Sequence, residues 1–250
     1  DAPLVIDASG VVLRSATGNP ADVVLSVPEG ISVQSNEVTL AELTVQGATN
    51  TNNISVLGAD SFTLYRVISR NTGRAALMAT ESEGDWSDAG TIECSRAILE
   101  SVVREQLAAE GDCSDQTVGF VVEGGRDWTV QDNRVEGVFC PEAAAGPGIV
   151  LARGARDAVV DRNRVVDCAT GISVGRGEPS ARDRVWDDAP CDASASVYSS
   201  TVTNNMVSAG DDELGASGPG FQRGVAIESG CAIDVVHNSI ASSLASAGAS

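Results

Sequence analysis

The sequence predicts an all-β solenoid of short parallel strands, with roughly seven coils and three strands in each coil. A unit of aliphatic segments ending in Asn-x-Val or Asn-x-Ile recurs along the chain. The residues are 42% hydrophobic but only 4% aromatic, and 26 glycines interrupt the apolar runs. A core of Val, Ile, Leu and Ala suits thin, regular layers better than a thick globular interior.

The complete repeat begins at a glycine and ends two residues after an asparagine. It reads GFVVEGGRDWTVQDNRV from Gly119, GIVLARGARDAVVDRNRV from Gly148 and GVAIESGCAIDVVHNSI from Gly224. A fourth copy is split by an insertion into GISVGRG from Gly171 and YSSTVTNNMV ending at Val207. The aligned asparagines are Asn133, Asn163, Asn205 and Asn238.

The units in the first hundred residues are more degenerate. TLAELTV places Leu43 at the asparagine position, AILESVV places Ser101 there, and ADSFTLYRVIS places Tyr65 or Arg66 there. The pattern only suggests a first unit, LVIDASGVVLRS from Leu4. These copies extend the predicted solenoid over a single domain, residues 1–250.

One segment, SRAILESVVREQLAAEG from Ser95, has two interpretations. Its apolar residues have the period of an amphipathic helix, but its first half also matches the repeat. We expect a strand in the first half, and a helical turn within a loop from Arg104 to Ala109.

The shortest complete period, Gly148 to Gly171, is 23 residues. Three short strands in 23 residues are too few for an antiparallel propeller blade, which needs four strands in roughly 40 residues. They can form one coil of a solenoid, in which each strand pairs in parallel with its equivalents about 4.8 Å above and below.

The recurring asparagine is predicted to be structural. A tight corner favours a residue that tolerates left-handed backbone angles, and Asn is the best choice after Gly. Asparagines stacked in successive coils can also donate from one side-chain amide to the next, as a ladder.

The corner sequences VQDNRV, VDRNRV, VTNNMV and VVHNSI resemble those of right-handed parallel β-helix proteins of the pectate-lyase-like superfamily. The resemblance is good from about Gly119 to Ile240 and weak from Gly30 to Val103. It implies a right-handed parallel β-helix, but that fold hosts lyases, hydrolases, epimerases, adhesins and non-catalytic surface proteins.

Charged residues beside the asparagines should be neighbours across coils. We expect Asp132 and Arg162 to pair, and Arg134 and Arg164 to stack on one solvent face. Arg134 and Arg164 are therefore candidates for binding the carboxylate of a carbohydrate such as a uronate, with a merely solvated face as the alternative.

Acidic loops interrupt the repeat and supply candidate calcium ligands. Asp187 and Asp188 lie in an insert from Gly175 to Ser196, which should leave between the first and second strands of a coil. Asp211 and Asp212 lie in an insert from Ser208 to Gly220, between the third strand and the next coil, and Ala79–Gly90 is expected at the same kind of corner. Oxygen-rich clusters suit calcium, but none has an EF-hand spacing, and solvated acidic loops are the alternative.

The six cysteines are candidates for three disulfides in an oxidising compartment, with buried free thiols as the alternative. They are Cys94, Cys113, Cys140, Cys168, Cys191 and Cys231. Positions in the coils predict Cys191–Cys231 and Cys140–Cys168, which leaves Cys94–Cys113.

The charge and residue content exclude several functions. A net charge of −19 disfavours nucleic-acid partners, and no apolar run is long enough to insert into a membrane. All 16 basic residues are arginines, so lysine chemistry is excluded. The single histidine, His237, adjoins a ladder asparagine, so it is predicted to be a corner residue rather than a general base.

These features favour an exported, secreted or cell-surface protein that displays, adheres to or binds carbohydrate, with a polysaccharide or a cell-surface glycan as partner. Calcium is the one candidate cofactor. The alternative is a polysaccharide lyase or glycoside hydrolase that acts on one face of the solenoid. A cleft in which carboxylates from neighbouring coils converge beside an arginine would favour that alternative.

Overall fold

The solenoid is a right-handed parallel β-helix. The computed structural model describes residues 2–191 and 195–244, in which each coil contributes one strand to each of three parallel sheets, A, B and C. Eight coils are present in these residues, one more than the sequence led us to expect. The degenerate first unit from Leu4, which the pattern only suggested, forms strands in all three sheets.

The strands follow one another through the sheets in the order A, B, C. Sheet A consists of Leu4–Ile6, Ile31–Val33, Ile54–Leu57, Ala75–Thr80, Val118–Glu123, Ile149–Ala152, Thr170–Val174 and Arg223–Ile227. Sheet B consists of Val12–Arg14, Thr39–Ala41, Thr63–Tyr65, Thr91–Glu93, Thr129–Gln131, Val159–Asp161, Thr201–Thr203 and Asp234–Val236. Sheet C consists of Val24–Ser26, Thr44–Gln46, Ile68–Arg70, Arg96–Ile98, Arg134–Glu136, Arg164–Val166, Met206–Ala209 and Ser239–Ser242. A small fourth sheet joins Ala155–Arg156, Val197–Tyr198 and Gly230–Cys231.

Most strands of sheets B and C are three residues long, and the middle residue points into the core. Val130 pairs in register with Ile92 and Val160, and all three are fully buried. Because side chains alternate across a strand, the flanking residues point outward. Each coil therefore needs few apolar residues, which explains the low aromatic content.

The repeat glycines also stack in register, at the start of the sheet A strands. A Cβ atom on Gly119 would collide with the carbonyl oxygen of Gly148, and one on Gly171 would collide with that of Gly224. Adjacent coils approach so closely at this row that only glycine fits.

The asparagine ladder is confirmed. The side-chain amide of Asn163 donates to Oδ1 of Asn205 at 3.0 Å, and Asn133 donates to Oδ1 of Asn163 at 3.0 Å. Asn205 donates in the same way to Asn238 at 2.9 Å. Asn133, Asn163 and Asn205 are each only 1% exposed, so the ladder runs inside the solenoid.

The expectation that these asparagines have left-handed backbone angles is wrong. The left-handed residue is the one before each asparagine, for example Asp132 at φ 56° and Arg162 at φ 52°. The bend is thus made by an outward residue, while the asparagine that follows it turns inward and binds backbone groups.

Two of the three upstream ladder positions were also predicted in the wrong register. Strand pairing places Ser95 at the ladder position instead of Ser101, and Val67 instead of Tyr65 or Arg66. Leu43 is confirmed. Runs of three apolar residues match the repeat in more than one register, so the sequence pattern alone did not distinguish them.

Two α-helices lie in the described part of the chain, and both occur in loops between sheet C and the next coil. Helix α1 spans Ser101–Glu110 and helix α2 spans Asp212–Ala216, and a 3₁₀ turn spans Pro20–Asp22. The predicted strand in the first half of the ambiguous segment is confirmed as Arg96–Ile98. The helical turn predicted from Arg104 is in fact a full helix, stabilised by burial of Leu107 and ended by the left-handed Gly111.

The inserts leave the solenoid at two kinds of corner. Gly175–Ser196, apart from residues 192–194, which lie outside the described residues, runs from sheet A to sheet B, and Ser208–Gly220 runs from sheet C to the next coil, as predicted. The placement of Ala79–Gly90 was wrong. This segment follows a sheet A strand and precedes a sheet B strand, so it leaves at the same corner as Gly175–Ser196.

Two disulfides are formed among the described residues, Cys191–Cys231 as predicted and Cys113–Cys140 in place of both other pairs. Helix α1 returns Cys113 to the corner that Cys140 occupies, with 5.7 Å between their Cα atoms. Cys94 instead sits at a left-handed bend, exposed, and Cys168 packs into the core as a free thiol. Disulfides indicate an oxidising, extracytoplasmic environment.

Candidate functional site

The clearest concave surface lies on the outer face of sheet A. Its floor is an outward-facing apolar cluster separate from the main core, and it includes Val118, Val121 and Val150, with Met78 packed against them. Val121 and Val150 are each only 1% exposed. Met78 and Val118 form the part of the floor that a ligand can reach.

Polar residues from two loop systems form the walls of this groove, which encloses about 550 Å³. Arg74, Asp115 and Gln116 come from the corner before sheet A. Arg176 and Gly177 come from the long insert that follows it. A second hollow of about 380 Å³ shares Arg74 and Gln116, so the concave surface continues toward the end of α1.

The long insert is anchored across the groove by charged contacts. Nη2 of Arg176 lies 3.1 Å from Oδ2 of Asp115 and donates to the Asp115 carbonyl oxygen at 2.7 Å. The backbone nitrogen of Gly177 donates to Oε2 of Glu228 at 3.1 Å. Arg223 holds the other oxygen of Glu228 at 2.7 Å.

Glu123 is the most enclosed carboxylate of the groove. Its Oε2 atom accepts hydrogen bonds from Nη1 of Arg153 at 2.9 Å and from Oγ1 of Thr80 at 3.1 Å. The Arg153 guanidinium lies over the ring of Trp86, 5.5 Å from its centroid. Glu123 is therefore held in one position by a cation that is itself held by an aromatic ring.

The inserts Ala79–Gly90 and Gly175–Ser196 are joined beside the groove by an arginine that also stacks on a tryptophan. Arg184 forms a bidentate pair with Asp88, with distances of 2.6 and 3.0 Å. Its guanidinium lies 4.0 Å from the centroid of the Trp186 ring. These contacts fix the loop that forms one wall, because paired and stacked guanidinium groups lose little further freedom.

Arg74 differs from the other charged residues of the groove. It is exposed, and it forms no ion pair within residues 2–191 and 195–244. The three carboxylates of the groove, Asp115, Glu123 and Glu228, each have an arginine partner. Arg74 is therefore the guanidinium that can hydrogen bond to a ligand without first breaking an ion pair.

The structure does not bring the predicted calcium residues together. Asp188 pairs with Arg156 at 2.5 Å, and this hydrogen bond holds the pKa of the Asp188 carboxyl below its usual value. Asp187 is exposed beside it. Asp211 caps α2 by accepting from the Glu213 nitrogen at 2.7 Å, and Asp212 is the first residue of that helix.

Among the described residues, no group of three or more His, Cys, Asp or Glu side chains is arranged to hold a metal ion. In the same part of the chain, no helix is long and apolar enough to cross a membrane.

The predicted charge pairs across coils are present. Arg162 bonds to Asp132 at 2.7 Å, and the hydrogen bond holds the pKa of Asp132 below its usual value. Arg134 and Arg164 are in register on the outer face of sheet C. They lie on a different sheet from the groove and so do not contribute to it.

Sequence reasoning missed the residues of the groove. Arg74 and Asp115 lie outside the quoted repeats, whereas Glu123 and Arg176 lie within them at positions to which the pattern assigns no role, and the four residues converge only after the coils stack. One signal was available, because Glu123 directly follows an apolar strand and precedes a pair of glycines. Comparisons with protein-family models, with curated proteins and with solved structures give no significant match.

Proposed function

We propose that the protein is an exported, non-catalytic β-helix that binds saccharide chains in the groove on sheet A. The observation that carries the proposal is an apolar floor of Met78 and Val118 between polar walls. Saccharides present both apolar C–H faces and hydroxyl groups, and sites for such ligands combine apolar surface with a few well-placed polar groups. The disulfides support export to an oxidising compartment.

The ion pairs favour binding over catalysis. A general acid or base must exchange a proton with the substrate, whereas a carboxylate held by an arginine partner is already engaged within the protein. Asp115, Glu123 and Glu228 all have such partners. A saccharide bound here would meet fixed charges that orient its hydroxyl groups.

One observation favours a second candidate, a polysaccharide lyase or glycoside hydrolase. Carboxylates from different coils converge beside Arg74 and Arg176 on one sheet face. This is the arrangement that we expected an enzyme of this architecture to have.

Binding to a panel of neutral glycans and polyuronates tests the proposal. We expect at least one neutral glycan to bind, and we expect Arg74→Gln to weaken its affinity about tenfold, the lower end of the value of one hydrogen bond to a charged group. Arg164→Gln removes the same charge from an exposed arginine on sheet C and should leave the affinity for that neutral glycan unchanged. Absence of any glycan binding, or binding insensitive to Arg74→Gln, would contradict the groove as the site.

The same panel, incubated with and without calcium, separates the two candidates. The binding function predicts no new reducing ends and no unsaturated products. Product formation that is lost in Glu123→Gln would replace it with the enzymatic one.

A further inference from the structure

Three arginines form a continuous row on the outer face of sheet C. Arg96 pairs in register with Arg134, and Arg134 pairs with Arg164, so they occupy the same position in three successive coils. The residues that follow them, Ala97, Val135 and Val165, are buried, which places the arginines outward. Adjacent guanidinium groups are thus repeated at the strand spacing of about 4.8 Å.

The row carries more positive charge than its surroundings neutralise. Glu136 bonds to Nη2 of Arg96 at 3.1 Å and also to Nε of Arg134. Arg164 is exposed and forms no ion pair in the described part of the chain. Glu136 is thus the one carboxylate that forms ion pairs with the row in the described residues, although the charge of Asp167 also acts on Arg134, in a protein whose net charge is −19.

The central arginine is unfavourably placed for a cation. Burial lowers the pKa of Arg134 from its ordinary value, and the neighbouring charges of Arg164 and then Arg96 lower it further. An anion bound between adjacent guanidinium groups would relieve this repulsion.

Apolar side chains flank the row on the same face. Ile68 precedes it by one coil and Met206 follows it by one coil, the latter 40% exposed. Ile98 and Val166 lie two residues further along their strands and are half-buried. The surface is flat and amphipathic, so it fits an extended chain better than a compact ligand.

We infer that this arginine row is a second binding surface, independent of the groove, for a linear acidic polysaccharide lying along the solenoid axis. Successive carboxylate or sulfate groups of the polysaccharide would each accept hydrogen bonds from one guanidinium. Guanidinium groups match both anions through paired N–H donors. The inference goes beyond the proposed function, since it concerns another sheet and a charged ligand.

Nucleic acid is a poorer fit to the same surface. Duplex DNA carries one charge per roughly 1.7 Å of its axis and is bound by extended basic surfaces. The arginine row is one residue wide, and the rest of the molecule is acidic, so a single chain with one charge per sugar matches it better.

Retention on immobilised heparin and on immobilised polygalacturonate tests the inference and separates sulfate from carboxylate recognition. We expect the protein to bind at least one of them at low salt and to be released by NaCl. Arg164→Gln should weaken that binding about fivefold. Glu136→Gln should strengthen it, since Arg96 and Arg134 lose their shared carboxylate, and a misfolded variant could not produce this gain.

Two control variants match these changes in charge. Arg182→Gln removes one positive charge from an exposed turn of the long insert, and Glu29→Gln removes one negative charge from another exposed turn. Neither variant should alter retention by more than its change in net charge accounts for. Neutral glycans that bind the groove should bind more weakly to Arg74→Gln and equally well to Arg164→Gln, so the two proposals can fail separately.

Three outcomes would overturn the inference. One is no retention on either polysaccharide, and another is equal weakening by Arg164→Gln and Arg182→Gln. The third is retention of the protein on an immobilised DNA duplex as strong as on the polysaccharides, which would show that the surface binds any polyanion.

Discussion

At the scale of single residues, each ladder asparagine satisfies several buried backbone groups at once. The side-chain amide of Asn163 donates to the carbonyl of Val130 and to Asn205, and its Oδ1 accepts from both nitrogens of Asn133. The ladder extends into the fourth coil through Ser95, whose backbone nitrogen donates to Oδ1 of Asn133 at 2.9 Å. These contacts hold the coils in register at the corner between sheets B and C.

We predict that Asn163→Ala lowers the free energy of unfolding by about 3 kcal/mol, because it leaves several buried polar groups without partners. Urea denaturation measures the change. Asn238→Ala, at the half-exposed end of the ladder, is the matched control and should cost about 1 kcal/mol. Saccharide binding should be unaffected by Asn163→Ala, and a loss of affinity at unchanged stability would contradict a purely structural role.

The free thiols also differ at this scale. Cys168 is buried, and burial raises its pKa to about 12, so it remains a protonated core residue. Cys94 is exposed, and its pKa is raised by partial burial and by nearby Glu93 and Asp132. Neither environment resembles that of a reactive cysteine, which requires a lowered pKa.

At the scale of elements, the two helices are joined through one carboxylate. Glu213 of α2 accepts hydrogen bonds from Arg104 at 2.7 Å and from Ser101 of α1. Arg104 is 4% exposed, lies 4.0 Å from the centroid of the Phe139 ring and donates to the carbonyl of Leu99 at 2.6 Å. A nearly buried guanidinium without its carboxylate partner would be costly.

We predict that this contact makes stability depend on acid pH. The hydrogen bonds from Arg104 and then Ser101 lower the pKa of Glu213 below its ordinary 4.5. Since the folded pKa is depressed, the stabilisation is complete above about pH 4.5 and is lost as the pH falls through the folded pKa.

Thermal melting of the wild type and of Glu213→Gln checks this prediction. The variant should melt at a lower temperature at pH 7, and its melting temperature should converge with that of the wild type as the pH falls below the depressed folded pKa of Glu213. Glu110→Gln, at the exposed end of α1, is the control and should follow the wild type. A constant difference between the wild type and Glu213→Gln over the whole pH range would show that the carboxylate charge is not the cause.

At the scale of the whole molecule, the acidic surface sets the electrostatics. Of 51 charged residues, 35 are acidic and 16 are arginines, and fifteen ion pairs occur among the described residues. Several arginines pair with aspartates and stack on tryptophan rings beside the inserts. Many acidic residues elsewhere on the surface therefore have no arginine partner in the described part of the chain. A net charge this far from zero favours solubility and opposes compactness by self-repulsion.

We predict that NaCl stabilises the fold. Raising its concentration from about 0.05 to about 0.5 M shortens the screening length and should raise the melting temperature by several degrees at pH 7. Near the isoelectric point the repulsion vanishes, so the same addition should have little effect there. An equal rise at both pH values would point to a general salt effect instead.

The repeat made most of the architecture predictable. The register of Asn133, Asn163, Asn205 and Asn238 determined the ladder, three of the sheet pairings and the Asp132–Arg162 contact, because equivalent residues of a solenoid are always neighbours. The repeat pattern predicted the structure less well where insertions interrupt it. Helix α1 was underestimated and carried Cys113 to an unexpected partner, and the bend at Asp132 was assigned to the residue after it.

The sequence by itself therefore determined the parallel β-helix, since a period of 23 residues with three apolar segments admits few other arrangements. Only the tertiary structure decided where a ligand can bind. Arg74, Asp115 and Arg176 are far apart in the chain, and stacking of the coils together with the path of the insert brings them to one face with Glu123. Arg96 likewise joins Arg134 and Arg164 only through strand register, because the insertion of α1 hides the repeat at that coil.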